Sequence, residues 1–409
     1  MSAETNEWKR GWRTVASGAV GVVFMTGVPS VTGIVMAPLM TEFGWSRALI
    51  TSNVLLCSVM TLLLAPVLGR LINRFGPRRC ALGAVAAAVP ALGLVSLAGG
   101  SPATWIGVWT IFAIINVGLS PITWSGAVAG LFDRSRGIAL AVTLSGAGAA
   151  FFLFPPFAVV MVERFGWRGV YSGIGALMLV ILLPLVFAWF RGASDLHVGK
   201  EATVHAGGRR LSGFALREAV RTVQFWQFGL VAALVAIAEG ALQVHLFPIL
   251  HEGGLAPELA AWVLSMMGVA MIVGRLSTGF MLDRLQPLPV FSGAILLVLV
   301  SCVLAANFSG STVAGVAVSF CLGFGTGGTT SALAYLTSRY FGLAAYPAIY
   351  GLLMGLFSVG YGIAPVIAGH FRETARSYAP IFDFLAGALV VAIVLTWLLG
   401  RPKALPQPA

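Results

Sequence analysis

Arg275, Glu239 and His245 stand within long apolar runs away from their charged ends, and each needs a physical reason to be there. Arg275 lies in Gly268-Val-Ala-Met-Ile-Val-Gly-Arg275-Leu-Ser-Thr-Gly279. A guanidinium within a span costs roughly 2.5–3.5 kcal/mol even on a lenient insertion scale, so it normally faces a cavity or a partner. Its planar fork matches a carboxylate through two parallel hydrogen bonds. The competing reading is structural: snorkelling to headgroups, or an ion pair with Asp283. Asp283 is eight residues on, about 12 Å along a helix, which makes that pair awkward. Glu239 is the acid set deepest in a span, and Gln243 follows one turn later on the same face. A carboxyl at such a depth suits proton transfer, or could neutralise Arg275 while a site is empty. A hydrogen-bonded structural acid is the equal alternative. His245, nearer the end of the same run, reads either as a pH-sensitive gate or as a polar cap at the interface.

These groups must be positioned by elements of an unusual kind. Of 409 residues, 58% are apolar and only 10% charged, and the mean hydropathy is +0.93. A soluble domain is about 45–50% apolar and about 25% charged. The composition excludes a soluble enzyme, a disordered chain and a nucleic-acid-binding domain, in spite of a formal charge of +11. In a multi-span membrane protein, excess Lys and Arg belong to cytoplasmic loops. The four cysteines, Cys57, Cys80, Cys302 and Cys321, fall in apolar runs with no metal or disulfide spacing. The first run is too long for a signal peptide's core and is expected to stay as a first span.

A helix crossing the hydrocarbon core needs roughly 20 apolar residues. Runs of that kind cover 14–40, 48–72, 80–99, 104–131, 138–161, 168–190, 225–250, 258–282, 287–307, 312–335, 346–369 and 380–400. The reading is an all-α membrane protein of twelve transmembrane helices. A polar stretch, 191–224, separates a six-helix bundle over 1–190 from a second over 225–409. With both termini inside, 19 Lys and Arg fall on inner segments and five on outer ones. That bias predicts cytoplasmic termini and a cytoplasmic central loop.

The halves also resemble each other. An offset of 210 residues lays Gly69 on Gly279, Asn73 on Asp283, Arg74 on Arg284, Glu42 on Glu252, Gly44 on Gly254 and Pro155 on Pro365. Two duplicated six-helix halves are the architecture of a carrier with a midplane site between them.

The stretch Gly69-Arg70-Leu71-Ile72-Asn73-Arg74-Phe75-Gly76-Pro77-Arg78-Arg79 resembles the loop motif of the major facilitator superfamily. The resemblance implies that Gly69 permits close helix approach. It further implies that Asn73, Arg74 and Arg78, with Asp283 and Arg284 in the second half, latch one end of the spans in one conformation. A narrower likeness rests on Phe43-Gly44-Trp45-Ser46-Arg47, Phe132-Asp133-Arg134-Ser135-Arg136-Gly137, Phe165-Gly166-Trp167-Arg168-Gly169-Val170-Tyr171 and Val244-His245-Leu246-Phe247-Pro248. This set is similar to the bacterial branch of the monocarboxylate transporters and their oxalate/formate exchanger relatives. In that family the span 8 Arg binds the substrate carboxylate, and Arg275-x-Ser277-x-Gly279 matches its pattern. The family's proton-coupling Asp would stand at Met271, its span 1 lysine has no counterpart, and the exchangers' second cation would fall near Phe357. One buried cation favours a monoanion over a dianion.

Asn116 and Trp124 of span 4, Ser145 of span 5, Tyr335 of span 10 and Tyr361 of span 11 are candidates for a cavity wall, with core packing as the alternative for each. Gly323, Gly325, Gly327 and Gly328 lack the Lys-Ser/Thr of a phosphate loop and read as a close-packing surface. Prolines 29, 121, 155, 156 and 365 mark candidate kinks. No cofactor, metal or nucleic-acid partner is expected, and the chain is expected to be a monomer in a bacterial inner membrane. The functional expectation is a secondary active transporter of a small carboxylate, with protons as candidate coupling ion. An exchanger or exporter of another solute such as a drug, and a transporter-like sensor, are the rivals.

Overall fold

The computed structural model describes residues 3–132, 135–192, 195, 213–342 and 345–400, with the side chains of 3–6, 73 and 347 excepted. The predicted latch residue Asn73 and most of the predicted loop 191–224 therefore lie wholly or partly outside the described residues. Sixteen α-helices follow one another among those described. The first nine are α1 (Ala3–Ser30), α2 (Thr32–Phe43), α3 (Arg47–Phe75), α4 (Pro77–Ser96), α5 (Pro102–Asn116), α6 (Pro121–Ala129), α7 (Arg136–Leu144), α8 (Gly146–Leu177) and α9 (Leu183–Trp189). The short α10 (Leu216–Ala219) leads into α11 (Val223–Glu252), α12 (Pro257–Leu282), α13 (Pro287–Ala306), α14 (Thr312–Phe341), α15 (Tyr346–Ala375) and α16 (Ala379–Leu398).

The helix starts are written locally. Proline opens α4, α5, α6, α12 and α13, where its missing N–H costs nothing and its fixed φ suits the first turn. Ser46, Thr222 and Ser311 cap α3, α11 and α14 by accepting from the N–H groups of Leu49, Phe225 and Ala314.

Eleven helical runs among the described residues are long and apolar enough to cross a membrane. One of them, Arg136–Trp189, is 54 residues long. At 1.5 Å per residue it would extend about 80 Å, far beyond a hydrocarbon core of about 30 Å. It contains Gly166 at φ 68° and ψ −177°, a conformation that glycine adopts without a Cβ penalty. The helix breaks there, so the run holds two crossing segments and the predicted count of twelve results.

Predicted kinks fall where proline removes a backbone bond. Span 4 is interrupted at Val117–Leu119 by a 3₁₀ turn and restarts on Pro121. Pro365 lies inside α15, so the carbonyl of Tyr361 loses its helical partner. Gly240 of α11 presses against that carbonyl, and a side chain there would collide with it.

The chain divides into two compact units, Met1–Val204 and His205–Ala409. Each packs its spans by the same scheme. In the first, span 1 lies against span 5, span 2 against span 4, and span 3 against spans 4 and 6. In the second, α11 lies against α15, α12 against α14, and α13 against α14 and α16. The 210-residue offset is thus carried into the packing. An acid of the offset closes the same corner of each unit. Glu42 pairs with Arg168 at 2.7 Å and accepts from the Trp167 indole, and Glu252 pairs with Arg372 at 2.9 Å.

The glycines of α14 work by close approach. A Cβ on Gly323 would strike the Met267 carbonyl of α12, and one on Gly327 the Met271 carbonyl. That is helix packing without room for side chains. The expectation for Gly69 is corrected, and its counterpart Gly279 behaves alike: nothing among the described residues comes within 4 Å of a Cβ at either position.

Candidate functional site

The densest set of buried polar contacts in the second unit joins α11, α14 and α15. Glu239 of α11 is fully buried, and its Oε1 accepts from the Thr329 hydroxyl at 2.7 Å. Its Oε2 is buried with no hydrogen-bonding partner among the described residues. One turn on, Gln243 donates from Nε2 to the Thr326 hydroxyl at 3.2 Å and accepts from the Tyr361 hydroxyl at 3.0 Å. Thr326 and Thr329 are three residues apart and share one face of α14. The carboxyl is held through one oxygen while the other stays open. Leaving a polar atom dry and unpaired costs about 1–3 kcal/mol, more for a charge, so such an atom is worth explaining functionally.

Arg275 of α12 is half-buried and makes no ion pair among the described residues. The phenol of Tyr350 on α15 lies within its electrostatic reach. Tyr346 stacks on Tyr350 with ring centroids 5.5 Å apart and planes 5° from parallel. One sequence alternative is corrected here, and the pair already judged awkward on helical spacing is absent. Glu239 bonds Thr329 and does not neutralise Arg275. Asp283 is exposed at the C-cap of α12 and does not pair with Arg275 either.

His245 is fully buried. Its Nε2 lies 2.9 Å from the Pro365 carbonyl, and its Nδ1 lies 2.9 Å from the Tyr378 hydroxyl. A carbonyl only accepts, so Nε2 carries a proton and donates to Pro365, while Nδ1 and the Tyr378 hydroxyl share the second hydrogen bond. Arg372 lies over the Tyr378 ring at 5.5 Å and pairs with Glu252. The histidine thereby ties α11 to α15 and to the stretch before α16.

The remaining candidates scatter. Trp124 has no exposed surface, its indole donates to the Leu119 carbonyl at 2.6 Å, and its ring packs on Phe190. A Cβ on Gly21 would also meet that ring at 2.5 Å. Trp124 is core of the first unit, not cavity wall. Ser145 donates to the Ala141 carbonyl at 2.7 Å, at the junction of α7 and α8. Asn116 is half-buried where α5 gives way to its 3₁₀ turn. Tyr335 is half-buried on α14, and Tyr361 joins Glu239's neighbourhood through Gln243.

The latch residues make contacts within their own units. Arg78 donates to the Phe187 carbonyl at 2.5 Å and lies over that ring. Arg74 lies over Phe75, and Arg284 over Phe280 at 3.5 Å. No ion pair of Arg74, Asp283 or Arg284 occurs among the described residues.

Comparison with known proteins gives this geometry a setting. The profile described as Major Facilitator Superfamily matches residues 18–253 and 229–409. Monocarboxylate transporter 13 of Bos taurus is 23% identical over 396 residues, 95% of this chain and 89% of that protein. Monocarboxylate transporter 3 of Rattus norvegicus is 27% identical over 400 residues, 93% and 78% of the two chains. Monocarboxylate transporter 11 of Homo sapiens is 28% identical over 298 residues, and the match spans 60% of its length. A bacterial homologue of the human lysosomal transporter Spinster, solved in an inward-facing and occupied conformation, superposes with a TM-score of 0.74 at 16% identity. It covers 97% of this chain and 98% of its own, and at that identity it speaks for the fold alone.

Proposed function

The chain belongs to the Major Facilitator Superfamily and is a multi-pass secondary transporter, and we propose that its cargo is a small monocarboxylate held through Arg275. The observation that carries this reading is a guanidinium within a span that has no carboxylate partner among the described residues. A fork of donors in that position is complete when an anion arrives. A single such cation suits one negative charge. The named relatives are themselves monocarboxylate transporters at 23–28% identity, which supports the class of cargo and leaves its members open.

Glu239 takes the coupling role in this reading. It is the carboxyl with an unused oxygen, on the helix that also carries Gln243. In one conformation it is protonated from one side, and in the other it gives the proton up, as alternating access requires. It occupies a different place from the family's usual acid, which Met271 replaces. Both termini and 191–224 are assigned to the cytoplasmic face by the charge bias of the loops.

Uptake of radiolabelled lactate and benzoate into proteoliposomes, with and without an inward-acid gradient, tests the proposal. Accumulation that saturates and is lost in Arg275→Ala is the expected result. Saturable uptake of neutral solutes with no anion transport would contradict it.

A further inference from the structure

The first unit carries a groove of about 500 Å³ that carboxylate transport does not use. Leu64, Leu71 and Phe75 of α3 form one wall, Gly83 of α4 forms the other, and Ile114 of α5 contributes to the floor. Leu71, Phe75 and Ile114 are 43%, 43% and 50% exposed, so the groove is open. Two small residues shape it. A Cβ on Gly118 would lie 2.6 Å from the Ala84 side chain, which brings the 3₁₀ turn of span 4 tight against α4 and closes the floor. At Gly83 nothing lies within 4 Å of a Cβ position, which leaves the wall hollow.

One end of this apolar groove is charged. Arg79, in the first turn of α4, lines it and is exposed. Its neighbour Arg78 is spent on the Phe187 carbonyl, whereas Arg79 has no hydrogen bond or ion pair among the described residues. Arg70 and Arg74 are exposed at the same end of the hairpin. A wall that merely faced hydrocarbon would need no hollow, and loop charge bias does not explain why a guanidinium with no partner among the described residues lines that hollow. An apolar trough with a cation at its lip has the chemistry that an acyl chain and its phosphate require.

We propose that this groove is a binding site for one anionic phospholipid, with an acyl chain lying between α3 and α4 and the phosphate on Arg79. Its volume falls in the range of built ligand sites, and its contacts divide the recognition. The trough gives affinity for any chain, and the arginine selects a negative headgroup.

Native mass spectrometry of the purified full-length protein, titrated with dioleoyl phosphatidylglycerol or dioleoyl phosphatidylcholine, tests this. One phosphatidylglycerol should bind about fivefold more tightly than phosphatidylcholine, the effect of one interfacial charge. Arg79→Gln should shrink the preference, weakening phosphatidylglycerol more than phosphatidylcholine, whose phosphate meets the same guanidinium but whose headgroup carries no net charge. Gly83→Leu should fill the hollow and weaken both lipids together, and Ile114→Trp fills it from the floor should Gly83→Leu not fold. Wild-type lipid binding in a folded groove-filling variant would overturn the proposal. So would full displacement of the lipid by soluble glycerol 3-phosphate, because a phosphate site without a chain would then account for the binding.

Discussion

Glu239 accepts one hydrogen bond, 2.7 Å from the Thr329 hydroxyl, and keeps its other oxygen buried and unpaired. The pair crosses from α11 to α14, so it reports on the packing of those helices as well as on the carboxyl. A net intramolecular hydrogen bond of this kind contributes about 0.5–1.5 kcal/mol. Glu239→Leu and Thr329→Val should therefore couple in a double-mutant cycle of thermal stability by about 0.5–1.5 kcal/mol. Additive losses would mean that the hydroxyl does not serve the carboxyl.

If Glu239 carries the coupling proton, removing its charge should separate binding from driving force. In Glu239→Gln, counterflow exchange of a labelled monocarboxylate should continue, while accumulation driven by a pH gradient should vanish. Accumulation with unchanged pH dependence would remove the proton role and leave the anion site standing.

The glycines of α14 and those of the loop motif should respond differently. Gly327→Val places a side chain onto the Met271 carbonyl, with no flexible group to yield. Overpacking of this kind costs about 1–3 kcal/mol or more, and melting of the purified protein should fall by several degrees. Gly279→Ala meets open space and should melt within about a degree of the wild type. Equal losses at both positions would contradict the packing account.

Orientation has a direct check in whole cells. Cysteine introduced at Gly207 should stay unreactive toward a membrane-impermeant maleimide until the cells are opened, because 191–224 is assigned to the cytoplasm. Labelling in intact cells would invert the topology.

The sequence disclosed most of the architecture through long-range regularities. Span length and the 210-residue offset depend on residue types and their spacing, and each survives without knowledge of contacts. The spacing of Glu42 and Glu252 even marked the two corners where Arg168 and Arg372 close on them. The site was less legible, since a span's period says that a residue shares a face and not which face. Trp124 reads from its span as either cavity wall or core, and the contacts decide for core, because Gly21 and Phe190 receive its ring. Thr326 and Thr329 passed unnoticed, for threonine in a Gly-rich helix commonly bonds its own backbone, and only the placement of α11 gave them Glu239 and Gln243 as partners. Tyr350 escaped for the same reason: its relation to Arg275 joins helices 75 residues apart in sequence. His245 was singled out, but its burial followed from the carbonyl of Pro365 and the hydroxyl of Tyr378, neither visible from its own helix.

The central claim is that Arg275 holds the carboxylate of the cargo, and counterflow of a labelled monocarboxylate across proteoliposomes measures it most directly. Loss of a charge-assisted, two-pronged contact in a dry site costs on the order of 2–5 kcal/mol, equivalent to roughly 30-fold or more in affinity. Arg275→Ala should lower apparent affinity by at least that factor. Arg275→Lys should fail nearly as badly, because a point charge does not reproduce the fork. Wild-type counterflow in Arg275→Ala would contradict the account.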